Sequence, residues 1–125
     1  MSEQPDTLRR LLAAPDYRYF EFQLWQEGVA RFIEYAAGQA AAAAHKPSPD
    51  FRRLPDYEPY GQAVEDALRH LRLELARLDL GRQRRVAFYP IGAALALLLN
   101  DTRTDWKRAY TRQPFTLPDL PTGGR

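Results

Sequence analysis

Residues 24–35, Leu-Trp-Gln-Glu-Gly-Val-Ala-Arg-Phe-Ile-Glu-Tyr, decide how the rest of the chain is read. Trp25, Val29, Phe32 and Ala36 recur in steps of three and four, the period of an amphipathic helix. Asp16 offers an N-cap for such a helix, which can then run from Tyr17 to about His45 with Phe22 and Ile33 on the same apolar stripe. The alternating stretch YRYFEFQLW could pass for a strand, but the helical period continues through Trp25 into Phe32 and overrides it. Gly28 stands in the middle of this helix, where glycine costs about 1 kcal/mol relative to alanine. A glycine there often marks a place where a second backbone comes close.

Working outward, Asp6 to Ala14 carries Leu8, Leu11 and Leu12 at helical spacing, with Asp6 as its cap. Downstream, KPSPDFRRLPDYEP places four prolines in fourteen residues, which ends the helix and makes a connection whose Phe51 and Tyr57 are expected to pin it to the core. A third helix is expected from about Tyr60 to Leu80, with Val64, Ala67, Leu68, Leu71, Leu75 and Leu78 on one stripe and Gly81 at the C′ position. Leu73 and Leu80 fall behind that stripe, so this helix should be covered on both sides, within the domain or by a partner.

The segment FYPIGAALALLLND is apolar nearly all round and should form the central helix, Pro90 to Leu99, with the proline in its first turn. A short piece around Asp105 to Thr111 carries Trp106 and Tyr110 one turn apart. The tail QPFTLPDLPTGGR reads as irregular, fraying after Leu120. The expectation is one all-α domain over residues 1–125. It is an irregular bundle of four main helices with Pro-rich connections: an N-terminal segment 1–15, a helical core 16–111 and a tail 112–125.

Composition narrows the function. The chain has 125 residues, a net charge of +2 and no cysteine, so disulfides and thiolate metal sites are excluded and the charge is too small to argue for nucleic acid. The first residues lack the apolar core of a secretory signal, which leaves the location open with the cytoplasm as default. The longest apolar run, 86–99, is too short for a bilayer, which needs about 20 residues. The two serines, Ser2 and Ser48, lie in terminal or proline-rich surroundings and suggest no nucleophile. Asp66, His70 and Glu74 are spaced for a metal on one helix face, but with Arg69, Arg72 and Arg77 alongside they read better as a salt-bridged surface. The run GRQRR, residues 81–85, is either a solvated helix junction or a contact for phosphate or an acidic partner.

At about 100° per residue, Glu27 and Glu34 point some 180° to 200° from the Trp25 stripe. The plain reading is a solvated face with Arg31 as the i,i+4 partner of Glu27. A second reading comes from a resemblance. Trp25, Glu27, Gly28 and Ala30 resemble the W-x-x-E-G-x-A segment of gluzincin metallopeptidases, the aminopeptidase-N-like and thermolysin-like zinc enzymes, whose glutamate is the third zinc ligand. Tyr89, Gly92 and Ala93 are similar to the Y-x-x-G-A segment of the same enzymes, whose tyrosine donates to the oxyanion. The resemblance implies Glu27 as a metal ligand and Tyr89 as a catalytic phenol, and it spans Tyr17 to about Thr111. The defining H-E-x-x-H is absent: the only histidines are His45 and His70, and only 26 residues precede Glu27. One carboxylate cannot hold zinc, so no cofactor is expected in this chain alone and zinc is implied by the resemblance only.

Two functions follow. The first is a partial metallopeptidase-like helical domain, inactive alone. It would be a truncated product, a degenerate relative, or one half of a two-chain site, in that order. The second is a small helical interaction module acting through homodimerisation or a protein partner on the Leu73/Leu80 face, with no nucleic acid and no membrane involved.

Overall fold

Three apolar surfaces, from residues 24–36, 60–78 and 88–99, fold onto one another. The computed structural model describes residues 4–120, the side chains of residues 4–6 excepted. Its elements are helical: α1 Gln4–Leu11, α2 Ala14–Gln23, a π turn Leu24–Gly28, α3 Val29–Ala44, α4 Tyr60–Ala76, the short α5 Leu80–Gln83, α6 Phe88–Thr102 and α7 Trp106–Arg112. Short 3₁₀ turns at Phe51–Arg53 and Arg84–Ala87 complete them. No strand occurs among the described residues, so the all-α expectation holds.

Residues 14–44 form one rod, but not a uniform one. At the π turn, hydrogen bonds of the i→i+5 kind widen the helix and offset its two halves in phase. The consequence is visible in burial. Leu24, absent from the expected stripe, is buried with Gly28, Val29 and Phe32, while Ile33 is 56% exposed. The step of five from Leu24 to Val29 is what a widened turn requires and what a strict 3.6 period hides.

The central element is α6, as its sequence predicts. Its residues Pro90, Gly92, Ala93, Ala96 and Leu99 are buried. Pro90 sits in the first turn, where a missing N–H costs nothing. Against it lie the π turn and α3 on one side and α4 on another. The core proper is Val29, Phe32, Ala96, Leu99 and Trp106, with Ala36, Leu97, Tyr110 and Leu117 packed around it. The Trp106 ring meets Phe32 edge to face at 5.2 Å.

Several boundaries move for identifiable reasons. The first helix begins at Gln4, so Asp6 lies inside it rather than capping it, and the Asp6 side chain is outside the described residues. The rod begins at Ala14 with Pro15 in its first turn, so Asp16 contributes its charge to that turn and makes no cap hydrogen bond. Residues 60–80 do not make one helix: α4 stops at Ala76, and Asp79 starts α5 by accepting from the Arg82 amide at 3.1 Å while the Asp79 amide donates to the Gln83 side chain at 2.9 Å. Gly81 therefore lies inside α5 with no positive φ and is not a C′ residue. Arg84 instead takes the positive φ of 49° in this arginine-rich junction, whose side chains are largely exposed.

In the proline-rich connection Phe51 and Tyr57 meet edge to face at 5.6 Å, and Phe51 stays 41% exposed, so the pair braces the loop internally rather than pinning it to the core. Ser48 serves the same loop, its hydroxyl accepting from the Phe51 amide at 3.1 Å. Ser2 lies outside the described residues. Residues 113–120 are irregular, yet Phe115 packs on Phe22 and Trp25, and the Thr116 hydroxyl donates to Glu21 at 2.9 Å. Residues 121–125, where fraying was expected, are outside the described residues. No helix among the described residues is long and apolar enough to cross a membrane.

Candidate functional site

Gly28 and Gly92 answer the question that a mid-helix glycine raises. The π turn and the first half of α6 cross at these two residues with backbone against backbone. A Cβ built on Gly28 would lie 2.6 Å from the Gly92 carbonyl carbon and closer still to its Cα, and one built on Gly92 would lie 2.9 Å from the Leu24 carbonyl oxygen. Real Cβ atoms do not approach other atoms so closely. The crossing thus needs glycine on both sides, since neither backbone leaves room for a side chain on the other.

Glu27 precedes one of these glycines by one residue, and Tyr89 precedes the other by three, nearly one turn of α6. Both are half-buried. The ring of Phe88 holds the start of α6 against α2 through edge-to-face contacts with Phe20 at 5.7 Å and Tyr19 at 6.3 Å. At that point Tyr89 lies close enough to Glu27 for the carboxylate to act on the phenol. The phenol pKa is raised, first because the neutral hydroxyl donates to Glu27, then by desolvation and by repulsion between a phenolate and the carboxylate, while Arg85 nearby pulls it down. The contact therefore adds stability that is fully present below the ordinary phenol value of 10.0 and is lost as the pH climbs through the raised one.

The structure thus brings together the two residues that the sequence singled out from segments 62 positions apart. It does not leave Glu27 on a solvated face with Arg31. The Arg31 guanidinium turns to α4 and pairs with Glu74 at 3.0 Å, and Glu34 alone of the two acids is exposed. Sequence reasoning missed the π turn, which makes the assumption of a uniform 100° per residue fail between Leu24 and Val29. It also missed Gly92 as the glycine facing Gly28. The pairing of E-G with Y-x-x-G was a signal for Gly92, and nothing in the residue pattern marked the π turn.

Trp25 stands elsewhere. Its ring stacks on Tyr110 at 5.0 Å, its indole N–H donates to the Tyr110 carbonyl at 3.4 Å, and the Tyr110 hydroxyl donates back to the Trp25 carbonyl at 3.3 Å. Burial raises the Tyr110 pKa accordingly. Trp25 also precedes Glu27 by two residues, one fewer than the W-x-x-E-G-x-A pattern has, so the tryptophan is not an aligned part of that likeness.

The Asp66, His70 and Glu74 face is a salt-bridged surface. Asp66 pairs with Arg69 at 2.7 Å, and His70 and Arg31 both meet Glu74, at 3.4 and 3.0 Å. His45, at the end of α3, rests edge-on against Tyr60 at 5.8 Å. Among the described residues no three of His, Cys, Asp and Glu gather as a metal site. A catalytic zinc takes three protein ligands, so Glu27 without others does not fit one. No family model, curated protein or solved structure matches the chain. The site is defined by its own geometry, as a carboxylate–phenol pair at a glycine–glycine helix crossing in an all-helical domain.

Proposed function

We propose that this chain is a partial metallopeptidase-like helical domain, in which Glu27 is one ligand of a zinc site and Tyr89 its oxyanion donor, the H-E-x-x-H ligands being supplied from outside residues 1–125. The convergence of Glu27 and Tyr89 on one half-buried spot is the observation that carries this reading, because the resemblance names these two residues from unrelated parts of the sequence. A phenol that keeps its proton beside a carboxylate is chemically suited to donating a hydrogen bond to a developing oxyanion. Alone, the chain is inactive for want of ligands.

The DNA around the coding sequence tests this. An in-frame H-E-x-x-H before Met1, or one in an adjacent gene, is the expected finding, and a start at Met1 with neither overturns the shared-zinc reading. Titrated with zinc in a calorimeter, the chain alone should show no tight binding. Affinity in the micromolar range or better would refute its inactivity. Joined to the missing segment it should bind zinc, and Glu27→Gln should remove that binding.

A second reading, an interaction module, draws on Leu73 and Leu80, which are 47% and 60% exposed rather than covered. A homodimer closing on them would bury that surface. Sedimentation should then show a concentration-dependent dimer that Leu73→Glu abolishes, whereas a monomer at all concentrations excludes self-association.

A further inference from the structure

We propose that α4, Tyr60–Ala76, pairs antiparallel with α4 of a second copy of this chain, closing on Leu73 while the acidic start of each helix meets the arginine-rich end of the other. The proposal rests on the interaction-module reading for its contact face and adds the identity and direction of the partner. At 100° per residue Asp66, Leu73 and Arg77 lie within about 40° of one another, on the side of the helix away from the buried Leu71. That flank faces solvent. Leu73 is 47% exposed, and the Asp66 side chain keeps 41% exposure while paired with Arg69. Leu80, just beyond the end of α4, is 60% exposed.

Charge selects the occupant. Residues 56–66 carry four acids and no lysine or arginine, whereas residues 69–85 carry six arginines against two acids. Within one chain this order suits the helix dipole, which favours acids at the start and cations at the end. The dipole does not account for a leucine left exposed between the two blocks. A copy turned end for end places each block on its opposite, whereas a parallel copy stacks like on like. A twofold axis gives such a self-complementary contact. With the axis between residues 71 and 72, Asp66 of one copy comes level with Arg77 of the other, and the two Leu73 residues are offset along the helices by about 5 Å, within contact. Arg84 and Arg85, in the junction beyond, are then turned toward the end that carries Asp56 and Glu58. The helix spans about 25 Å, and one face of that length is smaller than the roughly 800 Å² per partner of a stable interface. The dimer is therefore weak, with a dissociation constant in the micromolar range: the leucines hold it and the charges set its direction.

Sedimentation of the full chain at several concentrations should show a monomer–dimer equilibrium that weakens as salt rises. Asp66→Arg should raise the dissociation constant about tenfold or more, and Arg77→Asp should do the same. The double variant Asp66→Arg/Arg77→Asp should restore it, because the pair is then reversed rather than lost. Arg18→Asp, an equal change of charge at an exposed position on α2, should leave it unchanged. Direction is read separately and needs none of these variants to fold. The chain has no cysteine, so a nitroxide on Gln62→Cys is the single label in each copy. A pulsed-EPR distance of about 30 Å between copies marks the antiparallel pair, and one of about 10 Å a parallel pair. A dimer with the short distance, or one indifferent to both charge reversals, overturns this proposal and leaves self-association through Leu73 and Leu80 standing. A monomer at all concentrations overturns both, and neither result bears on the zinc reading.

Discussion

Gly28→Ala should lower the stability of the fold by about 2 kcal/mol, although the same change in an unobstructed helix interior would raise it by about 1 kcal/mol. The sign is decided by what the new methyl meets. At Gly28 it meets the Gly92 backbone, with the carbonyl carbon at 2.6 Å. A clash with a flexible side chain can be relieved by a rotamer change. Here the π turn and α6 themselves must move apart, and Leu24, Val29 and Ala93 move with them. Gly92→Ala should cost a similar amount for the same reason, its Cβ being 2.5 Å from the Gly28 Cα. The double variant should cost less than the two singles together, since one separation of the helices accommodates both methyls. Gly61 is the control: nothing lies within 4 Å of its added Cβ, so Gly61→Ala should be neutral or stabilise by about 0.5 kcal/mol. Urea denaturation of the four variants checks the set. Equal effects at positions 28 and 61 would mean that the crossing is looser than described.

That glycine also marks how far the sequence could be read. Periodicity alone placed the apolar helix at the centre and the aromatic stripe against it, because burial of one face is what makes either segment helical in a protein. It could not register the π turn, whose extra residue changes phase without changing composition. Leu24 and Ile33 therefore exchanged their expected places. Caps were misplaced where proline rather than a side-chain oxygen begins the helix, as at Pro15, and where Asp79 restarts a helix that leucine spacing alone would run through. At the site, Glu27 and Tyr89 were legible as residue types in short patterns, and their approach was not, since it depends on two glycines 64 positions apart meeting. Arg31 illustrates the converse. Its spacing from Glu27 suits an ion pair, yet Glu74 on α4 competes for it and wins.

Trp106→Ala should be the most damaging single substitution, costing about 4 kcal/mol. Trp106 is 3% exposed, packs edge to face on Phe32 and directs its indole N–H toward the Asn100 side chain at 3.4 Å. Against a total stability of about 5–15 kcal/mol, that loss would leave a small domain close to unfolding, with a melting temperature lower by about 15 °C. The effect should also be local in a recognisable order. Helix α7 has seven residues, too few to persist without tertiary contacts. Once its anchor is removed, Tyr110 should leave the Trp25 ring, and Phe115, which leans on the same ring, should follow. With Trp106 gone, Trp25 is the remaining indole, so its emission reports that release directly. A red shift at temperatures where helical circular dichroism is still near its native level is the expected signature. Trp106→Phe keeps most of the ring contact and should lose about 1.5 kcal/mol with no such shift. If both variants melted together with unchanged emission, α7 would be held by its backbone and the tail rather than by the indole.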